Sequence, residues 1–166
     1  MCCWMHYIKM ADYSLKKEKI MSEEITVLYV EDNAENRLLI RRILMAEGIF
    51  VEEAESAPQA LKKIEQHCPD LILMDINMPE IDGYMLTSRL RQNPKLNKVP
   101  IIALTANVMR GDRERTIEAG CDGYITKPIG TRGFLDTIRK FLPGGPEKNQ
   151  VSVDDIVPNP IQREVK

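Results

Sequence analysis

Residues 70–84 read DLILMDINMPEIDGY, and the fold follows from how the middle of that stretch is understood. Four consecutive apolar residues, Leu71 to Met74, have the length of a buried strand, and one carboxylate, Asp75, stands at their end. The chain then breaks into a loop marked by Pro79 and Gly83. A continuously apolar strand suits a sheet covered on both faces, as parallel sheets are. An acid at its carboxyl end stands where ligands collect in open α/β sheets.

The flanking sequence repeats the pattern. Residues 25–30 (ITVLYV), 49–54 (IFVEEA), 99–106 (VPIIALTA) and 123–127 (GYITK) are further strand candidates. Between them lie segments of helical period. Residues 35–48 place Leu39, Ile40, Ile43 and Leu44 on one face, with Gly48 as a stop. Ser56 is positioned to cap a helix over 57–68, with Pro58 in its first turn and Ala60, Leu61 and Ile64 facing inward. Residues 83–93 form a helix that stops before Pro94, and residues 110–120 a polar one ending at Gly120. Phe134, Ile138 and Phe141 mark the inner face of the last helix, over 131–142. Five βα repeats predict an α/β fold, a doubly wound parallel sheet with helices on both faces and right-handed crossovers.

The strand ends carry the chemistry. The first closes in Glu31-Asp32, the third in Asp75, the fourth in Thr105-Ala106 and the fifth in Lys127-Pro128. If the first and third strands are neighbours, three carboxylates converge and raise one another's pKa values. A hard divalent cation relieves that conflict, and Mg²⁺ typically uses one or two carboxylates while keeping several waters. A cation, the Thr105 hydroxyl and the Lys127 ammonium around a carboxylate suit an incoming phosphoryl group, with Asp75 as nucleophile.

At these motifs the chain resembles the receiver domain of two-component response regulators. VEDN (30–33), PDLILMDINMPEIDGY (69–84), PIIALTA (100–106) and AGCDGYITKPI (119–129) stand in the family's order and approximate spacing. VEDNAEN with ALTA is the variety met in phosphorelay receivers and hybrid histidine kinases. The resemblance implies a five-stranded sheet of order 2-1-3-4-5, for which a receiver is a standing example. It implies that Asp75 is the phosphoacceptor, that Asp32 and Asp75 bind Mg²⁺, that Glu31 acts through water, and that Asn77 lends its backbone carbonyl. It gives Thr105 and Lys127 the phosphoryl oxygens, Thr105 and Tyr124 the switch positions, and Lys127-Pro128 a cis peptide. The implied partners are a histidine kinase or histidine phosphotransfer protein upstream and another protein downstream. The implied function is a single-domain regulator that is no dedicated enzyme and assists only its own phosphorylation and dephosphorylation.

Plainer roles stand beside these. Asp75 is also a residue that caps turns, Thr105 a good strand former, Lys127 a solvated lysine before a proline, and Tyr124 a half-buried core aromatic. The charge cluster at 110–115 reads as a solvated helix face. Cys68 and Cys121 read as small packing residues, and His6 and His67 as surface residues. Two enzyme or cofactor classes fit poorly. A hydrolase of the haloacid dehalogenase type needs a second Asp where Asn77 stands, and a flavodoxin-like binder needs a phosphate cradle where EDNAEN is acidic. A scaffold of the same fold that acts without phosphorylation is left open.

Composition bounds the rest. The 166 residues allow one domain with a sizeable core, and 43% hydrophobic with 29% charged residues is an ordinary globular balance. A net charge of −2 argues against nucleic acid as a partner, and no apolar run approaches the roughly 20 residues of a membrane span. Only four cysteines, Cys2, Cys3, Cys68 and Cys121, without a CxxC pair or a secretory signal, favour the cytoplasm. Residues 1–24 lack a signal-peptide core and are expected to be a flexible leader, with a docking arm built on Trp4 as the alternative. Residues 25–142 are the expected receiver domain, and 143–166, rich in Pro, Gly and charge, a flexible tail.

Overall fold

The computed structural model describes residues 25–79, 82–106 and 112–143, and the expected leader and all but Pro143 of the expected tail lie outside them, as do Trp4 and His6. In chain order the elements are β1 (Thr26–Val30), α1 (Ala34–Ala46), β2 (Phe50–Ala54), α2 (Ala57–Gln66), β3 (Leu71–Asp75), α3 (Gly83–Arg91), a 3₁₀ turn (Pro94–Leu96), β4 (Ile101–Thr105), α4 (Asp112–Glu118), β5 (Gly123–Thr126) and α5 (Thr131–Phe141). All strand pairs are parallel, in the order β2-β1-β3-β4-β5. The expected architecture and strand order are both found.

Side-chain alternation along the strands divides the core in two. Leu28, Val30, Ile72, Met74, Ile101 and Ala103 face one side, packed against Ala60 and Ile64 of α2 and Leu86 and Leu90 of α3. Val27, Tyr29, Leu71, Leu73, Ile102 and Leu104 face the other, packed against Ile40 and Leu44 of α1 and Phe134 and Ile138 of α5. Every residue of β1, β3 and β4 is buried, which explains their unbroken apolar runs. Two acids fasten the opposite, amino-terminal edge: Asp70 Oδ2 accepts from the Thr26 amide at 2.8 Å, and Asp122 Oδ2 from the Ile101 amide at 2.8 Å.

Helix ends are set by local chemistry. Asn33 caps α1, its Oδ1 accepting from the amides of Glu35 (2.8 Å) and Asn36 (3.1 Å), and Asp82 caps α3 through the Tyr84 amide at 3.0 Å. Gly48 ends α1 with φ at 75° and Gly120 follows α4 with φ at 95°, both as the sequence indicates, since such angles favour glycine. Three details depart from the sequence reading. Leu39 turns outward at 51% exposure, because only Ile40 and Leu44 lie squarely under α1. Ser56 makes no capping bond, and Gln59 Oε1 instead accepts from the Glu55 amide at 2.6 Å. Cys68 is exposed, whereas Cys121 is buried.

Candidate functional site

Strand register delivers the site. Val30 pairs with both Ala54 and Met74, so Glu31 and Asp75 leave adjacent strands one step later, side by side. Asp75 pairs with Leu104, and Thr105 with Thr126, which brings Thr105 and Lys127 to the same edge. Backbone bonds fix each exit: the amides of Glu31, Ile76 and Lys127 donate to the carbonyls of Ala54 (3.0 Å), Leu104 (3.0 Å) and Thr105 (2.7 Å).

There, oxygen atoms of Glu31, Asp32 and Asp75 lie within 4.8 Å of one another. Glu31 and Asp75 are buried, at 1% and 3% exposure, while Asp32 faces solvent. Lys127 Nζ lies between the two buried acids, 2.8 Å from Glu31 Oε2 and 3.1 Å from Asp75 Oδ2. Asp75 Oδ1 accepts from the Asn77 amide at 3.1 Å, as in a short Asx turn. The Asn77 side chain is exposed. Thr105 is buried beside Asp75 on the neighbouring strand, and Tyr124 of β5 is half-buried against the α2–α3 side of the core. The Lys127-Pro128 peptide is cis. Of the charge cluster at 110–115, residues 110 and 111 lie outside the described residues. Arg113, Glu114 and Arg115 are exposed, with Arg115 stacked 4.9 Å from the Tyr84 ring centre.

Burial splits the two inner acids electrostatically. It pushes the Asp75 carboxyl above its ordinary value, and the Glu31 charge adds to that against the Asn77 amide and Lys127. Burial alone would also raise Glu31, but bonds from Lys127, Asn36 and Tyr29 outweigh it and hold Glu31 below its ordinary range. Burial would lower Lys127, yet the Glu31 bond and the two negative charges keep it above its usual value, firmly cationic. Two buried carboxylates therefore share the Lys127 ammonium, with the exposed Asp32 as a third acid beside them. Their oxygens are hard donors, and the exposed Asp32 gives them an open side, which is the chemistry that suits Mg²⁺.

Three contributors went unread in the sequence. Tyr29 donates its hydroxyl to Glu31 Oε2 at 2.7 Å, and Asn36 donates to Glu31 Oε1 at 3.1 Å. Arg37 Nη1 donates to the backbone carbonyls of Glu31 and Asp32, each at 2.7 Å, clamping the β1–α1 turn from behind. Tyr29 was legible in principle: it lies two residues before Glu31, hence on the same strand face.

A doubly wound parallel sheet with acids at the ends of β1 and β3, and a lysine after β5, defines a receiver-type signalling module. The chain belongs to the response regulator receiver domain family, whose description matches residues 27–139. Over 117 residues it is 42% identical to the polar-differentiation response regulator DivK of Brucella ovis, covering 70% of this chain and 95% of that protein. Among solved structures, the receiver domain of a sensor histidine kinase from Pseudomonas aeruginosa, with a magnesium ion coordinated in its active site cleft, superposes with a TM-score of 0.65. It shares 36% identity and covers 70% of this chain and 96% of its own. A co-crystal of the Saccharomyces cerevisiae histidine phosphotransfer signaling protein Ypd1 with the receiver domain of its downstream response regulator Ssk1 gives a TM-score of 0.65 at 27% identity. The match covers 71% of this chain and 88% of that one. Among the described residues, no helix is long and apolar enough to cross a membrane.

Proposed function

We propose that Asp75 accepts a phosphoryl group from the phosphohistidine of a histidine kinase or phosphotransfer protein, and that the chain signals as a single-domain regulator through contacts with another protein. The observation that carries this reading is the Asp75 carboxylate at the floor of the acidic edge, with Lys127 Nζ at 3.1 Å and the Glu31 and Asp32 oxygens within 4.8 Å. One oxygen of Asp75 is fixed by the Asn77 amide, so the carboxylate is held in one orientation for attack. The P–N bond of the donor breaks as a carboxylate oxygen bonds to phosphorus, and the imidazole leaves. Lys127 supplies fixed positive charge to the phosphoryl oxygens, a preorganised electrostatic contribution, and Thr105 a hydroxyl. Asp32, Asp75 and the Asn77 carbonyl would hold Mg²⁺, with Glu31 acting through water, and the ion would supply positive charge to the phosphoryl oxygens.

Phosphorylation draws Thr105 inward, and Tyr124 on the adjacent strand follows, altering the surface of α4, β5 and α5 that a partner reads. The co-crystal of a phosphotransfer protein with another receiver supports the upstream partner. The chain catalyses its own phosphorylation and hydrolysis and nothing else, works in the cytoplasm where kinases draw on ATP, and contacts neither nucleic acid nor membrane. Residues 25–142 form the receiver unit that carries this activity.

Incubation with acetyl phosphate or a phosphorylated histidine donor tests the site. Label resolved by mass spectrometry should sit on Asp75, vanish in Asp75→Asn and be lost in EDTA. Equal labelling of Asp75→Asn, or full labelling without divalent cation, overturns the assignment.

A further inference from the structure

Tyr29 is fully buried in β1, packed in the core that α1 and α5 cover. Strand alternation puts its ring on the same face as Glu31, and the ring is long enough to bring the hydroxyl up to that carboxylate from below. Its contact at 2.7 Å falls on Glu31 Oε2, the oxygen that also takes Lys127 Nζ at 2.8 Å. The other oxygen, Oε1, accepts from Asn36 Nδ2 at 3.1 Å and from the Asn33 amide at 3.4 Å. A carboxylate offers about four lone-pair sites, and four protein donors already use them. Glu31 is therefore heavily engaged within the protein, by three close donors and the longer Asn33 amide, and its direct contact in the site is with Lys127.

That contact competes with function. Lys127 is shared between Glu31 and Asp75, and an ammonium that turns to a phosphoryl oxygen on Asp75 must loosen its bond to Glu31. Two donors on one oxygen divide its electron density, so the tyrosine hydroxyl weakens the hold of Oε2 on the ammonium. We infer that Tyr29 is a positioning residue whose buried hydroxyl orients the Glu31 carboxylate and limits its grip on Lys127, and so sets how readily Lys127 turns to the phosphoryl group. The inference rests on Asp75 being the phosphoacceptor. A core phenylalanine fills the same space and brings no polar group to satisfy, so the hydroxyl is the feature that requires a role.

Tyr29→Phe in the full chain removes only that oxygen. Two quantities are measured: Mg²⁺ affinity by calorimetry without phosphodonor, and phosphoryl uptake from acetyl phosphate at saturating Mg²⁺. With its oxygen released from one donor, Glu31 holds Lys127 more tightly and adds negative potential to the site. Uptake should fall about three- to tenfold, the scale of one hydrogen bond, while Mg²⁺ affinity stays level or tightens by about two- to fivefold. Uptake and affinity falling together, or neither changing, overturns the inference, because loss of packing weakens both. In a Glu31→Gln background the effect of Tyr29→Phe on uptake should shrink to less than about twofold, as coupling through Glu31 demands. A persisting full effect there also overturns it. Failure of the Asp75 reading itself shows separately, as label that survives Asp75→Asn.

Discussion

Gly83, the first residue of α3, packs the helix backbone directly against the end of β3 at Asp75. A Cβ built there would lie 2.3 Å from the Asp75 carbonyl oxygen and 2.8 Å from the Ile76 Cα, both backbone atoms that no rotamer change can move. Ordinary contact begins at 3.4 Å, so Gly83→Ala must push α3 and the end of β3 apart by about 1.1 Å. The Gly83 amide donates to the Ile76 carbonyl at 3.2 Å, a bond that displacement breaks. Overpacking of this kind costs roughly 1–3 kcal/mol and the lost bond about 1, which gives a destabilisation of roughly 2–4 kcal/mol. Because the strain falls on Asp75 itself, phosphoryl uptake should fall by up to about 100-fold, as displacements near 1 Å do. Gly133 in α5 is the control, since a Cβ there meets nothing within 4 Å. Gly133→Ala should stabilise by about 0.5–1 kcal/mol through helix propensity alone and leave uptake unchanged. Urea denaturation and acetyl phosphate labelling of both variants provide the measurement. A Gly83→Ala protein within about 0.5 kcal/mol of the parent and labelling at the parent rate would falsify the close approach.

Two further outcomes follow from burial. Asp75, whose carboxyl is raised in the fold, costs stability once ionised: that cost is absent below the unfolded-chain value near pH 4 and complete above the folded one. Asp75→Asn should therefore melt higher than the parent at pH 7 by roughly 1–3 kcal/mol, with the gap closing as pH falls toward about 3; a gap that widens in acid reverses the sign of the argument. Among the described residues, the two hydrophobic cores close between Ile25 and Leu142, so removing residues 1–21 and 146–166 should change stability by less than about 0.5 kcal/mol. A loss above roughly 2 kcal/mol in thermal melts shows instead that an end docks on the domain.

What the sequence disclosed was the part governed by short-range pattern. Unbroken runs such as LILM identify strands buried on both faces, and Gly48 and Gly120 mark helix ends because their angles favour glycine. Strand ends then point to Glu31, Asp32, Asp75, Thr105 and Lys127, since parallel strands collect their exits along one edge. Features set by distances across the fold were hidden. Tyr29 passed as an apolar residue of β1 because its hydroxyl matters only against Glu31 Oε2. Gly83 looked like a loop marker because the carbonyl that excludes a side chain belongs to another element. Leu39 satisfied a helical period without lying under the helix, for a stripe only fixes a face to within a residue or so.

If Asp75 is phosphorylated as proposed, the distribution of charge accounts for how so small a chemical change could alter the whole edge. Lys127 is shared by two buried acids before any phosphoryl group arrives, and its own amide is tied to the Thr105 carbonyl at 2.7 Å. On the proposed reading, a phosphoryl group on Asp75 adds a third and stronger claim on one ammonium. The ammonium cannot meet all three, so the Glu31 contact must lengthen as the phosphoryl contact forms. That exchange costs little only if Glu31 keeps other donors when Lys127 turns away, and Tyr29, Asn36 and the Asn33 amide provide them. A buried carboxylate left with no partner would oppose the switch by several kcal/mol. On that reading, the backbone bond from Lys127 to the Thr105 carbonyl ties the site to β4, whose Ala103 pairs with Tyr124 of β5. On the proposed reading, the donors around Glu31 both hold the resting arrangement together and lower the cost of leaving it.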